Sequence, residues 1–280
     1  MIKFGVFTVS TPDYTPEEAI QKLATFGYDG IEWRVCTDPG DREKPSFWSG
    51  NRTSMTASEV IQKADELKKL AEANHIAMPS LAAYIECYDL PVVEQHLKAA
   101  VAVGAKAVRI GCGGFSKDIP YKDQLNRARN AYSAVAEMAK QYNVRALIET
   151  HHGTLTPTIP LAMNVLQGLD PACTGIMWDP GNQVYEGMER YDFALGIAGE
   201  YLGEIHIKNT RYVPGMLQNN GFTWIGTGCQ ISSGIVNWAS VFKELKDIGY
   251  DGWAMFEDFS TGEALDDRLK NNLAYIKSIC

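Results

Sequence analysis

The chain has 280 residues, 45% of them hydrophobic and 21% charged, with a formal net charge of −8 at pH 7. These proportions suit a globular protein with a sizeable core and exclude a disordered or low-complexity chain. The acidity opposes a phosphate backbone, and Lys63, Lys68 and Lys69 do not offset it, because they lie among Asp65 and Glu66 on a helical face. Nucleic acid is therefore not an expected partner. No apolar run is long enough to span a bilayer, and the opening MIKFGVFTVS lacks the long apolar core of a secretion signal. The six cysteines are scattered without a CxxC pair, which fits a reducing compartment. A cytoplasmic location without membrane contact is the expectation.

Along the chain, short β-rich runs alternate with longer amphipathic stretches. Residues 3–8 read as the first strand. Thr15-Pro16-Glu17-Glu18 then opens a helix: Thr15 can cap it, Pro16 suits a first turn that needs no backbone N–H, and Glu18 completes a capping box. That helix stops near Gly27, and residues 30–34 form the second strand. A loop over 35–54, rich in Asp, Pro, Gly and Ser, leads to a helix over 56–74 with Val60, Ala64, Leu67, Leu70 and Ala71 at helical spacing. Further strands are predicted at 76–83, 107–111, 144–150, 174–178, 203–208 and 253–257. Further helices are predicted at 92–104, 121–142, 159–169, 191–198, 236–249 and 262–279. The glycine-rich stretch 209–235 reads as a loop or lid. Eight β-then-α units call for a parallel sheet that closes on itself, so the predicted fold is α/β, a (β/α)8 TIM barrel with residues 1–280 as a single domain. An open, doubly wound sheet would usually place a glycine-rich phosphate loop after the first strand, where this chain has Thr8-Val9-Ser10-Thr11-Pro12.

A barrel collects its functional groups at the C-terminal ends of its strands. The fifth strand ends in Glu149-Thr150-His151-His152, the sixth in Trp178-Asp179, and the eighth in Phe256-Glu257-Asp258, while the seventh carries His206-Ile207-Lys208. Three of the five histidines fall at these ends, a skew that packing does not require. Each residue taken singly has a bland explanation. Glu149 and Glu257 could pair with Lys208 or Arg109, Asp179 could start the turn at Pro180-Gly181, and His206 could be an interior, hydrogen-bonded histidine. Four such groups on successive strands share one rim, however, and a divalent cation is a compact partner for three carboxylates. Glu149, Asp179, His206 and Glu257 are the expected metal ligands. Their oxygen-rich set favours Mn²⁺ or Mg²⁺, with Co²⁺ or Zn²⁺ also accommodated. Arg109, Lys208, Arg211, Glu32 and Trp224 are the expected substrate-binding residues, Glu32 by orienting a ligand from behind. Glu86, Phe47 and Trp48 are further candidates for the mouth.

The order Glu149, Asp179, His206, Glu257, with the phrases IETHHGTL, WDPGN and IHIKN, resembles the xylose-isomerase-like TIM barrels of the sugar phosphate isomerase/epimerase type. The resemblance covers nearly the whole chain. It implies a metal-dependent isomerase or epimerase of a small sugar or sugar phosphate, with Glu149 and Glu257 moving a proton through a metal-stabilised enediolate. Two departures matter. Ketose 3-epimerases usually have a histidine three residues after the sixth-strand aspartate, where this chain has Asn182. Glu149-Thr150-His151 is instead similar to the 3-dehydroshikimate dehydratase motif, which implies His151 as a catalytic base if a β-hydroxyl is expelled. The alternative expectation is thus a dehydratase of a cyclic polyol or hydroxy-keto acid, of the dehydroshikimate or inosose type. A non-catalytic sugar-binding barrel fits less well, as does a DNA-repair endonuclease, which needs more metals and more histidines. The expected partner is a small sugar-like molecule, and a homo-oligomer paired through loops such as 35–54 is open.

Overall fold

The structure is a computed structural model that describes residues 1–280. Ten strands follow one another: β1 (Lys3–Phe7), β2 (Gly30–Val35), β3 (Ser80–Ala83), β4 (Ala107–Arg109), β5 (Arg145–Glu149), β6 (Thr174–Trp178), β7 (Leu202–Ile207), β8 (Asn209–Gln218), β9 (Gly221–Cys229) and β10 (Trp253–Phe256). All but β8 and β9 close a barrel, in which β10 pairs in parallel with both β1 and β7. The helices are α1 (Pro16–Phe26), α2 (Ala57–Ala73), α3 (Leu90–Val103), α4 (Tyr121–Tyr142), α5 (Ile159–Leu166), α6 (Pro180–Gln183), α7 (Tyr191–Ala198), α8 (Trp238–Asp247) and α9 (Leu265–Ile279). No helix is long and apolar enough to cross a membrane.

Barrel strands are covered on both sides, so every residue of β2 is buried, polar ones included. Alternate residues of a strand point to opposite faces. Glu32 bonds to His206 on a strand that is not its neighbour, so it points into the barrel interior, and Ile31 and Trp33 therefore point outward to the helices. The helices start where the local chemistry satisfies their free N–H groups. Thr15 Oγ1 accepts from Glu18 N at 3.2 Å while Thr15 N donates to Glu18 Oε2 at 2.8 Å, and Thr56 with Glu59 repeats the device on α2. Such a cap contributes about 0.5–2 kcal/mol. Helix α1 ends at Gly27, whose φ of 86° suits a residue without Cβ.

Two expectations need correction. The third strand is shorter than 76–83, because Pro79 has no N–H for a ladder and β3 begins after it. Residues 209–235 are not mainly a loop, since β8 and β9 form an antiparallel hairpin. Its turn is Asn219-Asn220, both left-handed with φ of 47° and 64°, the geometry that matches strand twist in tight hairpins. Segment 36–56, between β2 and α2, is braced rather than loose. Asp38 accepts from Gly40 N, Gly50 N and Asn51 N at 3.0, 2.7 and 3.0 Å and pairs with Arg34 at 2.9 Å.

Candidate metal centre

Glu149 ends β5, Asp179 follows β6, His206 lies near the end of β7 and Glu257 follows β10. These four strands are consecutive in the barrel, so the four side chains meet at one point of its mouth. One ligand atom from each lies within 4.8 Å of the others, and all four residues are buried.

Two cations and an amide hold the cluster. Arg109 Nη1 pairs with Glu149 Oε2 at 2.7 Å. Lys208 Nζ lies 2.7 Å from Glu257 Oε2 and 2.9 Å from Asp179 Oδ2. Asn182 Nδ2 donates to Asp179 Oδ2 at 2.6 Å and to Glu149 Oε1 at 3.3 Å. Asp179 also caps α6, its Oδ1 accepting from Asn182 N at 2.9 Å, so the turn role and the cluster role coincide. Behind the cluster, His206 Nε2 lies 2.9 Å from Glu32 Oε2. Glu204, which accepts from Ser80 Oγ at 3.0 Å, lies 4.0 Å from the same nitrogen.

The charges respond to these neighbours. Burial alone would raise the Glu149 carboxyl, but the Arg109 guanidinium and His206 hold it well below the usual carboxylate range. Burial is likewise outweighed at Glu257, which the Lys208 ammonium and His206 bring down to about 2. Asp179 goes the other way: burial raises it, and Lys208 does not fully compensate. Burial would lower His206, yet Glu32, Glu149 and Glu257 together raise it well above the usual histidine value.

This donor set fits a divalent ion. It offers three carboxylates and one imidazole, and His206 Nδ1 is buried with no hydrogen-bond partner. That nitrogen faces Glu149 Oε1 at 3.4 Å and Glu257 Oε2 at 3.6 Å. A buried polar atom left unpartnered is costly, and an ion shared with those carboxylates would satisfy it.

A cavity of about 350 Å³ opens over the cluster, lined by Arg109, Glu149, Glu257 and His151, with Trp48, Tyr84 and Glu86 on its walls. His151 Nδ1 lies 2.8 Å from His152 O, and the two rings stack at 4.5 Å. Trp48 and Phe47 both pack on Phe259, at 4.9 and 5.2 Å between ring centroids. The structure thus gathers Glu149, Asp179, His206, Glu257, Arg109, Lys208 and Glu32, and sets His151 at the cavity beside them. It does not bring Arg211 and Trp224 there. Both lie on the hairpin outside the lining of that cavity, Arg211 exposed and Trp224 62% exposed. Tyr84 and Phe7 do reach the site, stacking on Arg109 at 4.4 and 5.5 Å. Both stand at or just past the end of a barrel strand, so the strand-end rule could have found them.

Residues 20–279 match the family described as Xylose isomerase-like TIM barrel, and the chain belongs to that family. An inosose dehydratase of Mesomycoplasma hyopneumoniae (strain 7448) is 23% identical over 291 residues, covering 95% of this chain and 86% of that protein. The inosose dehydratase of Serratia proteamaculans (strain 568) is 27% identical over 188 residues, which are 58% of this chain and 60% of that protein. This second match spans less than two thirds of its relative. Among solved structures, the 3-keto-D-glucoside 4-epimerase from E. coli aligns with a TM-score of 0.74 at 14% identity, over 99% of this chain and 100% of that one. The IOLI protein with a bound zinc atom aligns with a TM-score of 0.75 at 15% identity, over 100% of this chain and 99% of that one. At such identities the structures establish the shared fold. The sequence relatives are thus inosose dehydratases, and the structural neighbours include a sugar epimerase.

Proposed function

We propose that the chain is a divalent-metal-dependent enzyme that removes the proton beside a carbonyl in a small, uncharged, polyhydroxylated substrate. The observation that carries this reading is the buried four-residue cluster, with its partnerless His206 Nδ1, at the floor of the cavity. Glu149, Asp179, His206 and Glu257 would hold the ion, and Mn²⁺ or Mg²⁺ suits their oxygen-rich set. A divalent ion there supplies Lewis acidity to a carbonyl and its neighbouring hydroxyl, which makes the adjoining C–H acidic.

Charge supports an uncharged substrate. Arg109 is the one Arg or Lys lining the cavity, and it is committed to Glu149 at 2.7 Å. Lys208 is held between Glu257 and Asp179. A phosphate or carboxylate would meet Glu86, Glu149 and Glu257 with no free cation to receive it. A keto-sugar or cyclic keto-polyol fits this mouth better than a sugar phosphate or a hydroxy-keto acid.

His151 takes the proton in this reading. Its Nδ1–H donates to His152 O, which leaves Nε2 as the basic nitrogen. Glu149 and Glu257 are stabilised as carboxylates by Arg109 and Lys208, which weakens them as bases. One free base can take the proton and, now an acid, return it to the β-hydroxyl, which leaves as water while the double bond forms; this is the dehydratase outcome. The isomerase or epimerase outcome uses the same ligands, with Glu149 and Glu257 as the two bases, and the fold shared with the E. coli epimerase supports it. Incubation of the Mn²⁺-loaded protein in D₂O with keto-sugars and inososes, and with phosphorylated and carboxylated analogues, separates these readings. New ultraviolet absorbance from a neutral substrate whose carbon beside the carbonyl has lost its hydrogen is the expected result. Deuterium at that carbon without new absorbance selects the epimerase. Reaction confined to the phosphorylated or carboxylated substrates contradicts the neutral-substrate reading.

A further inference from the structure

Strands β8 and β9 form a two-stranded sheet of their own. The base of this hairpin is tied to the barrel. Asn209 Nδ2 donates to Ile231 O at 2.7 Å, and Tyr212 Oη donates to Val184 O at 2.8 Å. Gly226 approaches the Tyr185 ring so closely that an added Cβ would clash with it. Beyond that base the ribbon exposes large apolar side chains. Met216 is 71% exposed, Leu217 64%, Phe222 59%, Trp224 62% and Ile225 54%. A lone two-stranded ribbon is marginal in water, and these are residues that stabilise strands by packing on a neighbour.

The two edges of the ribbon differ. Strand β8 is guarded, because Pro214 offers no N–H and Arg211 adds a charge. Strand β9 has neither proline nor charged residue, and β8 is the one strand hydrogen-bonded to it. An unguarded, uncharged, β-rich edge is a template for another strand. We propose that β9 pairs with the β9 of a second copy of this chain, antiparallel about a two-fold axis, to make a four-stranded sheet that buries Phe222 and Trp224.

Charge selects that partner. With a net charge of −8, two copies repel over most of their surface, yet residues 209–235 contain no carboxylate and a single charged side chain, Arg211. A strongly acidic or basic partner finds nothing complementary there, whereas an identical edge meets no repulsion and supplies the same strand-forming residues. A two-fold axis makes the contact self-complementary and closed, which limits it to a pair. The area is of the right order. At 59% and 62% exposure, Phe222 and Trp224 together offer roughly 200–250 Å². Leu217, cross-strand from Phe222, extends this face to roughly 300–350 Å² per copy, against about 800 Å² in a stable interface, and the paired backbones and flanking residues add to it.

Light scattering coupled to size exclusion, run on the full chain with hydrogen exchange in parallel, tests the pairing. The wild-type mass is expected at about twice 31.0 kDa, with slow amide exchange across residues 221–225. The double variant Phe222→Lys/Ile225→Lys, altered only at exposed positions, is expected at about 31.0 kDa with an unchanged circular dichroism spectrum and fast exchange there. A monomeric wild type overturns the proposal and leaves the ribbon to a different partner or to a lid. So does a dimer that survives the double variant, or one whose residues 221–225 exchange freely.

Discussion

Glu32 Oε2 accepts from His206 Nε2 at 2.9 Å, across a separation of 174 residues, and this bond decides which imidazole nitrogen is left for an ion. With Nε2–H committed to Glu32, only Nδ1 faces Glu149 and Glu257. A carboxylate behind a ligating histidine typically accounts for 10–100-fold in metal affinity. Glu32→Gln is therefore expected to weaken Mn²⁺ binding by about 10–100-fold without abolishing it. Competition against a fluorescent chelator measures this, and an unchanged affinity would mean that Glu32 does not orient the ring.

Metal affinity should rise with pH. Burial lowers the His206 pKa, but the surrounding carboxylates outweigh it and raise it well above the usual histidine value, so a proton competes with the ion for the ring. An ion reaches Nδ1 only after the proton there has gone, so acid opposes binding and each binding event releases a proton. Calorimetric titration with Mn²⁺ in buffers of different ionisation enthalpy is expected to show about one proton released between roughly pH 6 and 8. No release over that range would contradict a proton competing with the ion for His206.

His151 and the metal ligands should separate experimentally. His151→Asn is expected to lower proton exchange at the substrate by about 10²–10⁴-fold, the usual worth of a general base, and to leave metal content unchanged. Full exchange in this variant would remove His151 from the chemistry. Loss of metal would make it part of the binding site instead.

Gly181 is a steric requirement of the centre. A Cβ there would lie 2.8 Å from Lys208 O and 2.9 Å from Lys208 C, backbone atoms that cannot swing aside. Gly181→Ala is expected to push α6 off β7 and to displace Asp179, at a cost of roughly 1–3 kcal/mol. A lower Tm together with weaker Mn²⁺ binding is the expected result, and a variant that keeps both values shows that the contact relaxes freely.

The ligands are legible in the sequence because apolar runs mark the strands, and a barrel sends strand-end groups to one mouth. Glu149, Asp179 and Glu257 each stand at the boundary of such a run. Their partners are set by distance in space instead. Tyr84 and Phe7 meet Arg109 only because β1, β3 and β4 belong to one closed ring, and Asn182 reaches both Glu149 and Asp179 only because α6, capped by Asp179, begins directly after β6. The hairpin is concealed by its own composition: Gly215, Gly221, Gly226 and Gly228 interrupt the alternation that signals a strand, although Asn219-Asn220-Gly221 is a recognisable tight turn. Trp224 looks like a lid residue in the sequence because nothing local shows that its strand pairs with β8 outside the barrel sheet and leaves the ring exposed.

Metal analysis of the purified chain, stripped with chelator and reloaded with Mn²⁺, tests the shared-ion site most directly. The wild type is expected to retain about one ion per chain after desalting, and Glu149→Gln, which removes a ligand charge while keeping the side-chain shape, is expected to lose nearly all of it. A Glu149→Gln protein that holds as much Mn²⁺ as the wild type would contradict the site.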